Sequence, residues 1–240
     1  MRMPIDETVK SMKKFDNELS HLRQRVVEMG NLTESMVSRA IDAVFDVHNN
    51  EIIESVLRDE EQLDQMQLDI DKEAVRLLTV YGPVATDLRF ILSVSRINLE
   101  LERIGDHATN ICENVHLLAS KVDVQPLSEI QKMGEVVRGM VHDALDAFLQ
   151  NDNRKAQSVI ARDDLVDALN DQIIEELLSD EVVREVLTGP TDIAGALAQI
   201  LIARSLERIA DQSTNVSEEI VYMIKGDDIR HQPPVAGTAN

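Results

Sequence analysis

Apolar residues recur every three or four positions through most of this chain, which is the spacing of one face of an α-helix. Turn-forming residues interrupt the pattern at positions 49–50, 82–83, 151–153 and 188–191. Residues 5–30 show the same helical spacing, so we expect the first helix to be long or kinked. The pattern predicts six long helices, over residues 32–47, 52–78, 84–118, 127–149, 156–178 and 192–224.

The second half of the chain repeats the first. The decapeptide LERIGDHATN at residues 101–110 returns as LERIADQSTN at residues 206–215, with seven of ten positions identical, 105 residues later. Three further landmarks return in the same order at nearly the same interval: AIDAVF as ALDAFL, EEQLD as DDLVD, and YGP as TGP. We interpret this as the duplication of a unit of roughly 100 residues.

The duplication predicts an all-α fold of two tandem, pseudo-symmetric three-helix bundles, with six long helices arranged up and down. We expect the first repeat at residues 1–120, the second at residues 121–225, and a mobile C-terminal tail at residues 226–240. Aromatic residues make up only 2% of the chain, which also has nine Gly and six Pro. This composition disfavours turn-rich β architectures and predicts a core of Leu, Ile, Val, Met and Ala.

Charge and cysteine content narrow the function. The formal net charge is −20, which repels phosphate backbones and anionic lipid and so disfavours nucleic-acid partners. The single cysteine, Cys112, cannot form an intrachain disulfide, which suits a reducing compartment. The N-terminus has no apolar leader, and the most apolar run, residues 194–203, is too short to span a bilayer. We therefore expect a cytoplasmic protein without membrane insertion.

Each copy of the decapeptide predicts an acidic stripe along its helix. On a helical wheel, five oxygen-bearing side chains of the first copy fall within an arc of about 100°: Glu102, Asp106, Thr109, Asn110 and Glu113. The second copy repeats the layout with Glu207, Asp211, Thr214, Asn215 and Glu218. The preceding helix of each unit offers a further acidic pair, Glu60 with Asp64 and Asp163 with Asp167.

Acidic stripes on adjacent helices can converge, and converging carboxylates repel one another unless a cation lies between them. Arg103 and Arg208 lie about 100° from the carboxylates that precede them, which places them at the edge of each stripe. The pattern therefore predicts a hard cation with oxygen ligands, such as magnesium, calcium, manganese or iron. The competing interpretation is a plain helical scaffold whose acidic stripe faces solvent.

Catalytic motifs are missing, so we predict that the chain is not an enzyme. It contains no glycine-rich phosphate loop, Walker motif or nucleophile elbow. The alternative is a metal-dependent hydrolase or carboxylate-bridged oxidoreductase on a helical bundle. Such bundles use Glu-x-x-His pairs, and that spacing occurs at Glu18–His21 and Glu113–His116. Neither pair recurs in the second unit, which counts against this alternative.

The doubled signature, LERIGDHATNICE and LERIADQSTNVSE, resembles that of the PhoU family, the phosphate-specific transport system accessory proteins. The segments GPVATDLR and YMIKGDDIRH add to a resemblance that covers about residues 8–231. It implies two similar three-helix bundles and a cytoplasmic negative regulator of phosphate uptake and of the phosphate-starvation response. Such a regulator is an adaptor between the ATPase subunit of the phosphate ABC transporter and a sensor histidine kinase. We also expect a homodimer.

The resemblance also implies metal ions, iron or zinc in some members, at the E/DxxxD motifs; manganese and magnesium are further candidates. These motifs fall on Glu102 and Asp106 with Asn110 alongside, and on Glu207 and Asp211 with Asn215 alongside. The second unit departs from the first, because Ala203, Ser205 and Ala194 replace Asn98, Glu100 and Asp87. We therefore expect the second site to bind metal differently or less tightly.

Overall fold

A computed structural model describes residues 5–119, 126–179 and 193–230, with the side chains of residues 5–11 excepted. The described part is helical and contains no strand, so the predicted all-α bundle fold is confirmed. Its helices are α1 (Ile5–Phe45), α2 (Asn50–Tyr81), α3 (Ala85–Ala119), α4 (Ser128–Gln150), α5 (Asn153–Ile160), α6 (Asp163–Leu177) and α7 (Ile193–Lys225). Residues 5–45 form one long helix, as expected.

The sequence breaks correspond to helix caps. The side chain of Asn49 accepts a hydrogen bond from the backbone N–H of Ile52 and so caps the start of α2. Gly82 ends α2 with φ 53°, a left-handed conformation that glycine adopts without strain. Asn151 ends α4 in the same conformation, and Asp152 then caps α5 by accepting from two backbone N–H groups. The predicted break at 188–191 lies outside the described residues.

The helix predicted over residues 156–178 is interrupted in the structure. α5 ends at Ile160 and α6 begins at Asp163, because Arg162 N bonds to the carbonyl of Val159, three residues back, instead of four. An ion pair from the Arg162 guanidinium to Asp143 of α4 anchors this turn. The turn places Asp163 in the first turn of α6, where the helix dipole favours a carboxylate.

The helices of each repeat pack on one another, and one pair of helices forms a seam between the two repeats. α1, α2 and α3 pack on one another, α4, α5 and α6 pack on α7, and α3 packs along α7. Glu100 of α3 pairs with Asn215 of α7, and Arg96 pairs with Glu219, so the two helices run antiparallel. The core is mainly aliphatic, as predicted, with Phe148 as its largest fully buried side chain.

The boundaries of the predicted domains remain predictions. The linker between the repeats, up to residue 125, and residues 231–240 of the predicted tail lie outside the described residues. Residues 226–230 are described, and Arg230 forms an ion pair with Glu219 of α7. None of the helices in the described ranges is both long and apolar enough to span a bilayer.

Candidate metal centre

The first carboxylate cluster forms where α2 crosses α3. Asp64 of α2 and Glu102 and Asp106 of α3 each bring a carboxylate oxygen within 4.8 Å of the others. Gly105 permits this approach, because a Cβ at that position would overlap Cδ2 of the buried Leu63. The two stripes thus converge as the wheel predicted, and three of the four predicted carboxylates meet closely. Glu60 lies one turn away on α2.

Burial, followed by repulsion from neighbouring carboxylates, raises the pKa values of Asp106, Glu102 and Glu60. For Asp106 the main cause is burial, followed by the charge of Asp64. Burial also raises the pKa of Glu102, with Asp106 and Asp64 adding to the effect. The pKa of Glu60 is raised by burial and then by the charges of Asp106 and Asp64, so Glu60 is close enough to interact with the cluster.

The cluster has no cationic side chain at its centre. In the described residues, no Lys or Arg forms an ion pair with its carboxylates. Arg103, the nearest candidate in sequence, pairs with Glu100 at 3.2 Å, which agrees with its predicted place at the edge of the stripe. The buried hydroxyl of Thr109 also has no hydrogen-bond partner in the described structure. The cluster therefore has oxygen donors available and uncompensated negative charge.

The second cluster combines α6 and α7. Thr214 Oγ1 donates to Asp163 Oδ1 at 3.2 Å and so ties the stripe of α7 to α6. The pKa of Asp211 is raised to about 6, first by burial of the carboxyl group and then by Asp163, Glu207 and Asp167. Asp211 is exposed as a whole residue, and the charges of these three carboxylates add to the rise that burial causes.

The two clusters differ in compactness. Within the described residues, only the first brings three carboxylate oxygens within 4.8 Å of one another. In the second, burial raises the pKa of Asp163 while the hydrogen bond from Thr214 opposes the rise. The first site is thus the better preorganised one. That the second binds metal less tightly stays a prediction.

The two predicted asparagines have different surroundings, and their role as metal ligands stays a prediction. Asn110 is exposed on α3. Asn215 donates its side-chain amide to Glu100 Oε2 across the seam, and to Gln212 Oε1, both at 3.4 Å. Helical spacing could not reveal this, because the partner of Asn215 belongs to the other repeat. Sequence reasoning also missed Gly105, whose role became visible only through its contact with α2.

The donor set fits a hard cation. Three carboxylates supply oxygen ligands of the kind preferred by magnesium and manganese, and iron also accepts them. No histidine or cysteine joins the described cluster; His107 is half-buried, and burial, followed by Arg208 and Arg103, lowers its pKa. A bound cation would offset the repulsion that, together with burial, raises the pKa values of Glu102 and Asp106.

Both clusters lie inside matches to one family model. The model, described as the PhoU domain, matches residues 26–115 and again residues 130–220. The chain belongs to the PhoU family. The two matches contain all ten predicted site residues, so each PhoU repeat carries its own acidic cluster.

Relatives match the chain over most of its length. The phosphate-specific transport system accessory protein PhoU homologs of Pseudomonas putida and Aquifex aeolicus are each 36% identical to it. The matches cover 91% and 92% of the chain, and 84% and 97% of the respective relatives. The PhoU family is thus named for an accessory role in phosphate transport and not for a catalysed reaction.

Solved PhoU structures share the fold. The crystal structure of PhoU from Pseudomonas aeruginosa has a TM-score of 0.82 at 34% identity, covering 89% of this chain and 100% of that one. The phosphate transport system regulatory protein PhoU from Streptococcus pneumoniae has a TM-score of 0.80 at 28% identity, covering 90% and 99%. The resemblance found in the paired signature is confirmed.

Proposed function

We propose that this chain is a cytoplasmic negative regulator of phosphate uptake and of the phosphate-starvation response. It acts as an adaptor between the ATPase subunit of the phosphate ABC transporter and a sensor histidine kinase. The observation that carries the proposal is the double PhoU match, supported by relatives that are 36% identical over more than 90% of the chain.

Local contacts favour this adaptor over the enzymatic alternative. Of the two Glu-x-x-His pairs, the first has its glutamate engaged elsewhere, because Glu18 accepts hydrogen bonds from Arg76 and Tyr81. The second pair, Glu113 and His116, is exposed on α3. One cavity of about 340 Å³ is lined by Arg23, Phe90 and other residues outside the carboxylate clusters. These contacts give no support to a di-iron oxidoreductase or hydrolase.

Deletion of the gene tests the regulatory role. We expect the deletion strain to express phosphate-starvation genes in phosphate-rich medium, and a plasmid copy of the wild-type gene to silence them. Glu207→Ala with Asp211→Ala should complement only in part. The matched control is Glu175→Ala with Glu176→Ala, which removes two exposed carboxylates of α6 far from the cluster and should complement fully. Silent starvation genes in the deletion strain would refute the regulatory proposal.

We further propose that the clusters bind metal. Asp64, Glu102 and Asp106, with Glu60 nearby, would hold the first ion or ions, and Asp163, Asp167, Glu207 and Asp211 the second. The ions would supply positive charge that neutralises the carboxylates and fixes α2 against α3 and α6 against α7. Carboxylates ligate in their ionised form, so affinity should fall as the pH drops.

Elemental analysis of protein purified without chelator tests the metal proposal. Glu102→Ala with Asp106→Ala should remove the metal of the first repeat alone, while the Glu175→Ala, Glu176→Ala control keeps the full content. Iron, zinc, manganese and magnesium are measured together, since the donor set admits more than one of them. Unchanged metal content in the first double variant would rule out the first-repeat site.

The proposal includes a homodimer. Sedimentation equilibrium of the full chain should give about twice the chain mass of 26.9 kDa. A monomer mass at every concentration tested would contradict this part of the proposal without affecting the regulatory role.

A further inference from the structure

One face of the seam between the repeats is apolar and basic, in a chain whose net charge is −20. Eight exposed side chains of α3 and α7 form it, and we call it the arginine–leucine strip: Leu92, Arg96, Leu99, Arg103, Leu197, Leu201, Arg204 and Arg208. Its four leucines leave 37–47% of their surface exposed. Exposed leucines at regular helical spacing beside arginines are typical of a surface that binds another helix.

Neighbouring contacts place these side chains on one side of the seam. A groove of about 240 Å³ is lined by Arg96, Leu99 and Asn215, among other residues of both helices. Further along, the same antiparallel register puts Arg208 of α7 opposite His107 of α3, one helical turn from Arg103. The strip is therefore continuous across its middle.

The antiparallel pairing of α3 and α7 determines how long the strip is and in which order its leucines and arginines follow one another. Glu100 lies opposite Asn215 and Arg96 opposite Glu219, so Leu197 near the start of α7 lies opposite Leu118 near the end of α3. Leu92 and Leu197 are then separated by about 26 residues of helix, or about 39 Å. Leucines occupy both ends of the strip, and Arg103, Arg204 and Arg208 occupy its middle.

Positive charge on the strip is only partly compensated. Arg96 pairs with the buried Glu219, and Arg103 pairs with Glu100. Arg204 and Arg208 are exposed, and neither forms an ion pair within 4.0 Å in the described part of the chain, although the charge of Arg208 acts on Asp211. Carboxylates of the two clusters lie beside the strip, since Arg103 acts on Glu102 and Arg208 acts on Asp211, so its arginines form a narrow row between acidic groups. A narrow acidic element complements this row better than a broad acidic surface.

From this geometry we infer that the strip is the docking site for an acidic amphipathic helix of a partner protein. Leucines at the ends of the strip receive apolar side chains of that helix, and the central arginines pair with its carboxylates. A second copy of this chain is the poorer occupant, because a twofold contact on the strip brings the arginine-rich middle of one copy against that of the other. The inference deepens the proposed adaptor function, since it names the chemistry of the partner element.

Binding of a defined probe tests the inference. The probe is a fluorescein-labelled helical peptide of about 26 residues, with leucines in its outer turns and glutamates in its middle turns on one face. Fluorescence anisotropy with the full-length protein should show saturable, salt-sensitive binding. A peptide with lysine in place of glutamate should not bind. Arg103→Glu with Arg208→Glu should weaken binding of the acidic peptide at least about tenfold.

Matched variants separate the strip from general charge effects. Arg58→Glu with Arg154→Glu makes the same charge change at two exposed arginines outside the strip and should leave the affinity unchanged. Leu99→Ser with Leu201→Ser keeps every charge and should also weaken binding. Circular dichroism checks that each variant retains its helix content, and Arg103→Gln with Arg208→Gln replaces any variant that has lost it.

Any of these results would overturn the inference: no binding by the wild-type protein, equal binding of the lysine peptide, equal loss in the outside variant, or a dimer that Arg103→Glu with Arg208→Glu dissociates. Binding to phosphatidylglycerol vesicles through Arg103 and Arg208, without peptide binding, would assign the strip to lipid and also overturn it. These assays do not use the phosphate response, so their failure leaves the deletion experiment to decide the proposed function separately.

Discussion

Several carboxyl groups of the two clusters are less stable in the ionised form in the folded protein than in the unfolded chain, which lowers the free energy of unfolding at neutral pH. The pKa of Asp211 is raised from 3.8 to about 6, so the folded protein binds that proton more tightly than the unfolded chain does. Between about pH 4 and pH 6, stability contributed by this group falls as the pH rises, and above pH 6 the group is at its most destabilising. The raised pKa of Asp163, Glu102 and Asp106 acts in the same direction.

Asp211→Asn should therefore stabilise the protein at pH 7 when chelator keeps metal away. Because Asp211 is partly exposed, we discount the pKa shift for solvent screening and expect a gain of about 1 kcal/mol in the free energy of unfolding. At pH 4 the wild-type carboxyl is already largely protonated in the folded state, so the gain should be close to zero. Urea denaturation at the two pH values measures the difference. Equal effects at both would contradict the raised pKa.

Single residues also show where sequence reasoning succeeds. Glu102 and Asp106 could be placed on one stripe because both belong to one helix and helical spacing is fixed. Their meeting with Asp64 was a weaker expectation, since it depends on how closely α2 approaches α3, and Gly105 sets that distance. Asn215 could not be placed, because its partner Glu100 lies 115 residues away in the other repeat.

The approach of helices to one another depends on a few small residues. Gly105 in α3 contacts Leu63 of α2, where a Cβ would overlap its Cδ2 atom. A Cβ added to Gly139 in α4 would lie 3.4 Å from Arg162 Nη1, which is the end of a flexible side chain, and would have no other neighbour within 4 Å in the described residues. The corresponding position of Gly105 in the second repeat is Ala210, so the first repeat makes the tighter contact here.

The same substitution at these two glycines should have opposite effects. Gly139→Ala should raise the free energy of unfolding by up to about 1 kcal/mol, because alanine favours the helix. Gly105→Ala should lower it by about 1–2 kcal/mol, since the strain on the buried Leu63 exceeds that gain. Thermal or urea unfolding followed by circular dichroism measures both. A stabilising Gly105→Ala would show that α2 and α3 have room to move apart.

Helix boundaries were predicted well where polar caps or glycine mark them. Asn49 caps the start of α2 and Gly82 ends it, both close to the predicted positions. The break between α5 and α6 was missed, because residues 160–163 contain no glycine or proline and the apolar spacing continues through them. The turn there is held by Asp143 of α4, a tertiary contact that local pattern does not contain.

At the scale of the whole molecule, Glu219 joins the repeats. It is a buried carboxylate of α7 that accepts hydrogen bonds at 3.2 Å from Arg96 of α3 and at 2.6 Å from Arg230. Removing a buried carboxylate that has two cationic partners lowers the free energy of unfolding more than removing one member of an exposed ion pair. The reason is that the two cationic partners lose their compensating charge.

Glu219→Ala should therefore lower the free energy of unfolding by about 2 kcal/mol, a value reduced because both arginines retain contact with water. Glu175→Ala, on the exposed side of α6, is the matched control and should change it by less than about 0.5 kcal/mol. Chemical denaturation measures both. An equal, small effect of the two substitutions would show that Glu219 contributes little to the seam.

Limited proteolysis tests the division into two repeats. We expect early cleavage between residues 120 and 126 or after residue 226, where few helical contacts are predicted to protect the chain. Mass spectrometry of the fragments locates the cuts. Early cleavage concentrated within residues 84–118, inside α3, would contradict the two-repeat organisation.

The antiparallel seam of α3 and α7 has a consequence for the origin of the chain. Residues that correspond in the two repeats, such as Gly105 and Ala210, lie near the midpoint of the seam, as equivalent residues do around the axis of a symmetric dimer. A single three-helix unit that paired with itself through this same helix would give this arrangement once two copies were joined in one chain. In a joined chain the two halves can differ at equivalent positions, as Asn98 and Ala203 do.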